Sequence, residues 1–238
     1  MKLPSSDEYT HTLDINEKQS EISSYVGKVL RDNFGKGPGS VYVSIADPFV
    51  VIYVKDFLSP MERVLYSGNQ QKTVEKTRSF LMDTISAEIR AYIKLITKLE
   101  IESLYYDWSL ENQSGVFLGV GSDPIDGDAA YSGKSEVHDA VVRMSKKVEK
   151  EPAAIRSTRI NSRTLIVVRD GILVEIEKQL IRDGQEEALR NAKGKLEKGM
   201  LNLDQINSHI EGEISEVFID WDFDIDRSFL VMILTPDS

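Results

Sequence analysis

Apolar and polar positions alternate along this chain in two periods, and together they predict a definite order of elements. Residues 17 to 34 place Ile22, Val26, Val29 and Phe34 on one side of a helix. Two strands follow, near 40 to 46 and 49 to 56, with Asp47-Pro48 as the turn, since proline cannot continue a ladder there. Ser59 as N-cap, Pro60 at the first position and Glu62 at the third then form a capping box that opens a short helix. A longer helix from about 70 to 97 carries the stripe Val74, Arg78, Leu81 and Ile85. Strands near 101 to 108 and 115 to 121 flank the polar turn Glu111-Asn112-Gln113-Ser114-Gly115. The order is αββααββ.

The same order returns in the second half. Pro38 leads through Val51-Ile52-Tyr53-Val54 to Lys55-Asp56, and Pro152 leads through Leu165-Ile166-Val167-Val168 to Arg169-Asp170 in the same register. After a one-residue insertion near Gly171, Met61-Glu62 with Leu65 match Ile176-Glu177 with Leu180, and the stripe returns as Leu189, Lys193, Leu196 and Met200. The first helix has its counterpart in Val137, Val141, Met144 and Val148, and Tyr-Tyr-Asp-Trp ending at Trp108 has its own in Phe-Ile-Asp-Trp ending at Trp221. Repetition at this distance predicts two copies of one domain, residues 17–121 and 135–236, joined by a polar linker over 122–134. Strands that arrive in adjacent pairs point to α+β, each copy an antiparallel or mixed sheet with helices on one face, because parallel crossovers would alternate strands and helices singly.

Composition narrows the chemistry. The chain has 238 residues and no cysteine, which removes disulfides, thiolate nucleophiles and cysteine metal sites. A net charge of −10 repels phosphate backbones and argues against nucleic acid as a partner. No apolar run approaches a membrane span, and the N-terminus turns polar at once, so a cytoplasmic protein that is not inserted in a membrane is expected.

Candidate chemistry is sparse. Gly35-Lys36-Gly37-Pro38-Gly39-Ser40 follows a helix and precedes a strand, the reverse of a phosphate loop, and reads as a helix C-cap and turn, or as an anion- or partner-binding loop through Lys36. Asp220, Asp222, Asp224 and Asp226 alternate along one predicted strand face, but an EF-hand counted from Asp220 would need glycine at Ile225 and glutamate at Val231. A solvent-facing acidic edge without a metal is expected. The linker acids Asp123, Asp126 and Asp128 are a weaker cluster still, and His11, His138 and His209 lack metal-ligand spacing and read as scattered surface histidines. No nucleophile, metal set or cofactor loop supports an enzyme, so no cofactor is expected.

Arg78 is the exception, because a cation on an apolar helix stripe is costly unless paired. Glu62 falls on the inward side of its short helix, and Glu177 and Lys193 repeat the acid and the cation in the second copy. A salt bridge that pins two helices and a binding site both fit, and Glu62 also fits as the capping acid.

Gly35-Lys36-Gly37-Pro38, Leu58-Ser59-Pro60 with Glu62, and Arg78 together resemble the signature of the MpsC-like family of small bacterial proteins, over about residues 18 to 121. The second copy departs from it, with Glu149-Lys150-Glu151-Pro152 and Leu173-Val174-Glu175-Ile176-Glu177 at the matching places. Family-specific contacts through Lys36, Glu62 and Arg78 are therefore expected in the first copy, and packing in the second. The resemblance implies a part in a sodium-translocating, membrane-potential-generating system linked to bicarbonate uptake. It leads to the expectation of a non-catalytic cytosolic accessory or regulatory protein whose partner is a membrane transport complex, or a second copy of itself. The alternative is a small-ligand or ion sensor with its site between the two copies.

Overall fold

A computed structural model describes residues 13–122 and 130–236. The first copy runs α1 (Ile15–Phe34), β1 (Ser40–Ala46), β2 (Phe49–Lys55), α2 (Pro60–Ser67), α3 (Gln71–Thr97), β3 (Ile101–Ser109) and β4 (Ser114–Gly121). The second runs α4 (Lys134–Val148), β5 (Ala154–Asn161), β6 (Thr164–Asp170), α5 (Glu175–Arg182), α6 (Glu186–Met200), α7 (Leu203–Asn207), β7 (Glu213–Asp222) and β8 (Arg227–Thr235). The sheets are wholly antiparallel and ordered alike, β1-β2-β4-β3 and β5-β6-β8-β7. One irregularity repeats, since β3 slips register between Ile101 and Ser103 and β7 slips between the equivalent Ile214 and Glu216, but β5 has a further slip between Arg159 and Asn161 that β1 lacks. The extra residue of the second copy therefore sits in β5 and not near Gly171, and Asp170, not Arg169, is the equivalent of Lys55.

One element is new. The second copy adds α7, capped by Asn202 through the N–H of Gln205. Its α6 has 15 residues against 27 in α3, so Leu201 and Ile206 of the following segment fill the core that the later turns of α3 fill in the first copy. The stripes correct accordingly. In α3 the buried line is Val74, Arg78, Met82, Ile85, Ile89 and Ile93, with Leu81 only half-buried, while in α6 it is Leu189, Lys193 and Glu197, with Leu196 and Met200 exposed. Positions 81 and 82 both fit helical spacing after Arg78, so periodicity alone does not choose between them, and the structure turns Met82 and Glu197 inward.

Alternation along the central strands explains why they read as unbroken apolar runs. Val50, Ile52 and Val54 face α1 and α3, whereas Phe49, Val51 and Tyr53 face the other copy. There they meet Ile166, Val168, Phe218, Phe229, Val231 and Ile233, so the two sheets pack face to face with the helices outside.

The edges β3 and β7 are held together by the two Asp-Trp pairs. Asp107 accepts the backbone N–H of Ile219 at 2.8 Å, and its equivalent Asp220 accepts that of Tyr106 at 2.9 Å. Arg190 pairs with Asp220, and Lys198 with Asp107. Each copy thus clasps the backbone of the other about a pseudo-twofold axis. Replacing Asp220 by Ala strands the N–H groups of Tyr106 and Trp221 and leaves Arg190 with the Trp221 carbonyl but without its carboxylate, and is expected to cost about 2 kcal/mol. Chemical denaturation measures it, and an unchanged midpoint would show that the clasp carries no weight.

The expected solvent-facing row of aspartates is therefore corrected. Asp220 is buried in the clasp, Asp222 accepts the Tyr105 hydroxyl at 2.8 Å, and Asp226 accepts the N–H groups of Ile172 and Leu173, each at 2.8 Å. Only Asp224 is exposed, because the strand ends at Asp222 and residues 223–226 form a turn.

Candidate functional site

In the first copy the short motifs converge on one buried knot. Gly35 closes α1 in the left-handed region at φ 73°, which favours glycine and turns the chain toward β1. Lys36 then reaches back, its Nζ donating to the carbonyls of Asp56 at 3.2 Å and Leu58 at 3.3 Å. Ser59 and Glu62 form the capping box of α2, with Glu62 Oε2 accepting the Ser59 N–H at 2.8 Å. Arg78 completes the knot: Nε lies 2.7 Å from Glu62 Oε1, and Nη2 donates to Glu62 Oε2 at 3.1 Å and to the Phe57 carbonyl at 2.9 Å. Lys36, Glu62 and Arg78 therefore brace the same β2–α2 connection from three sides.

Arg78 is 1% exposed, and its guanidinium lies 4.5 Å from the Trp108 ring and 4.9 Å from Phe57. Among the described residues Nη1 has no hydrogen-bond partner, and these aromatic faces add to the attraction that Glu62 exerts on the guanidinium. Trp108 fits because position 115 is glycine, since a Cβ there would meet the indole at 2.1 Å. Burial pushes the Glu62 carboxyl up, but its bonds to Arg78 and Ser59 outweigh burial and hold it below the usual range.

The equivalent place in the second copy is a larger charged cluster. Lys193 contacts Glu177 at 2.7 Å, repeating the first pair, and also pairs with Glu149. Arg169 adds Glu197 at 2.6 Å, Glu149 at 3.4 Å, and the hydroxyls of Ser145 at 2.7 Å and Ser228 at 2.8 Å. The side chains of Arg169, Glu149 and Glu197 are wholly buried. The repeat shows how it arose: Glu149 stands where the first copy has Gly35, Glu197 where it has Met82, and Ser228 where it has Gly115. Aromatic packing around one ion pair has been exchanged for carboxylates and hydroxyls around two cations. The expectation that the second copy serves packing alone misses this, because its members come from α4, β6, α5, α6 and β8 and share no local motif.

Three carboxylates face two cations here, so the cluster is one proton short of neutral when every group is ionised. Burial raises Glu149 to about 7, helped by the neighbouring Glu197 and only partly opposed by Lys193 and Arg169. Burial also raises Glu197. The arrangement can hold one shared proton near neutral pH. Among the described residues no group of histidines and carboxylates is placed to hold a metal ion. His138 is half-buried with its Nε2 2.8 Å from Ser157 Oγ, so it is not a free surface histidine. His11, Asp123, Asp126 and Asp128 lie outside the described residues.

The family model described as Na+-translocating membrane potential-generating system (MpsC) matches residues 15–121 and again residues 133–236. No curated protein and no solved structure matches the chain.

Proposed function

The chain belongs to the MpsC family, in two tandem copies, and from that membership we propose that it is a non-catalytic accessory or regulatory protein of a membrane ion-transport system, working on the cytoplasmic side. The observation that carries this reading is the family match over both halves, whose description names a Na+-translocating system. Among the described residues no helix is long and apolar enough to cross a membrane, which supports a role exerted through a membrane-spanning partner. Bicarbonate uptake, as the coupled process, is part of the same proposal. Met61 on α2 and Ile176 on α5 occupy equivalent positions and are 75% and 67% exposed, which supports contact with a protein partner through these short helices.

The test is a Na+-dependent membrane potential measured in vesicles from cells with and without the gene, together with co-purification from detergent extracts. Loss of the potential on deletion, restored by the parent chain and not by Met61→Asp with Ile176→Asp, is the expected result. An unchanged potential and no association with any ion-translocating complex would end the proposal.

A second reading, a small-ligand sensor with its site between the copies, draws support from one observation. A cleft of about 800 Å³ lies where the two sheets part, lined by residues of both halves.

A further inference from the structure

The two sheets are closed along β3 and β7 by the paired aspartates, but at the opposite edges β1 and β5 are bridged by the hydrogen bond from Asn161 Nδ2 to Ser44 Oγ, at 2.8 Å. The cleft opens there, and its volume lies within the roughly 300–1,000 Å³ of small-molecule sites. Its floor is the face of β1 and β2 that elsewhere packs on the other copy. Tyr42, 49% exposed, lies over Tyr53 with ring centroids 6.1 Å apart, and Tyr53 is fixed by donating its hydroxyl to Glu216 at 2.7 Å.

The charge of the cleft runs against that of the chain. Asp and Glu number 39 against 29 Lys and Arg overall, yet among the described residues no carboxylate lines the cleft, whereas Lys55 and Arg163 do. Both are exposed, and among the described residues neither forms an ion pair, although most of the chain's buried or half-buried cations do. Serine and threonine hydroxyls complete the wall.

The repeat supplies an internal control. In the second copy the position of Lys55 is held by the acid Asp170 and that of Tyr42 by Arg156, and these two form an ion pair with each other. Arg163 has its equivalent in Pro48, which carries no charge. Among the described residues the combination of an open ring and unpaired cations is found at one of the two pseudo-symmetric places and not at the other.

We propose that this cleft binds a small organic anion, with Lys55 and Arg163 taking a phosphate or carboxylate group and the ring of Tyr42 taking a planar portion. A mononucleotide carries both parts at this size. Guanidinium and ammonium groups that no protein carboxylate engages are the natural partners of such an oxyanion, and a tyrosine face stacks on any base. This inference rests on the sensor reading and narrows it to a charge and a shape.

Calorimetric titration of the full chain with ADP, pyrophosphate and adenosine tests it. ADP is expected to bind, Lys55→Met with Arg163→Met to weaken it by roughly tenfold or more, and Tyr42→Ala to weaken ADP while leaving pyrophosphate unchanged. Circular dichroism checks that these surface variants fold. Adenosine binding as tightly as ADP would overturn the anionic class while leaving a ligand site between the copies in place. Undiminished ADP binding in the double variant, or no binding of either ADP or pyrophosphate at millimolar concentration, would overturn the site itself.

Discussion

Replacing Arg78 by Met is expected to lower the unfolding free energy by about 3 kcal/mol, because the change leaves Glu62 buried without its guanidinium and the Phe57 carbonyl without its donor. In a chain of this size that is a fall in melting temperature of roughly 6–12 °C. Arg78→Lys should lie between the two, since an ammonium keeps the charge but not the two-point contact with Glu62 or the planar face against Trp108. The partner change has to respect the second task of Glu62, which accepts the Ser59 N–H at the start of α2. Glu62→Gln keeps an oxygen for that bond and removes the charge, so combining it with Arg78→Met should recover about half of the loss. A single Arg78→Met variant that melts like the parent would show that the pair does not hold the connection. A variant that stays folded but no longer associates with the membrane system would instead make the knot part of the binding surface.

The same knot shows what the sequence could and could not reveal. Arg78 and Glu62 were legible because each breaks a local rule, a cation on an apolar stripe and an acid on the inward side of a capped helix. Glu149, Arg169 and Glu197 broke no rule within their own windows: an acid at a helix end, a basic residue at a strand end and a glutamate in a charged helix are all ordinary on a surface. Only the alignment of the copies carries the signal, where Gly35 gives way to a glutamate at the end of the first helix and Met82 to one at a place that stays inside. The Asp-Trp pairs were visible as markers of the repeat, but their clasp joins residues 112 and 114 positions apart, and no local periodicity encodes a contact at that range. The row of four aspartates misled for a related reason. Alternation was read as one continuous strand, whereas the chain turns after Asp222 and gives each acid a different partner. The cleft was foreseen only as a place between copies, since its shape depends on how two sheets part at one edge.

The charged cluster of the second copy makes stability depend on pH in a direction opposite to that of Glu62. Glu149 titrates at about 7 in the folded protein against an ordinary 4.5, so the folded state holds a proton that the unfolded chain has released. Its contribution is then fully present below about 4.5 and is lost as pH rises through about 7. Glu62, held below the usual range, contributes above that range and loses its contribution as pH falls through its lowered value. Both act together between about 4.5 and 7, and the unfolding free energy should peak there. Between pH 5.5 and 8.5 it should fall by on the order of 2 kcal/mol, less than the full shift at about 1.4 kcal/mol per unit, because pH 5.5 already lies about a unit above the ordinary 4.5 and only the rest of the rise to about 7 remains to be lost. Glu149→Gln places a neutral amide where the proton sat, leaving Glu177 and Glu197 to balance Lys193 and Arg169. That variant should be as stable as the parent near pH 5.5 and more stable at pH 8.5, with most of the slope gone. Urea unfolding at several pH values reads both slopes. A parent protein whose stability is flat or rises from pH 5.5 to 8.5 would show that the cluster holds no proton. A slope that survives Glu149→Gln would move the proton to Glu197, the other carboxyl that burial raises.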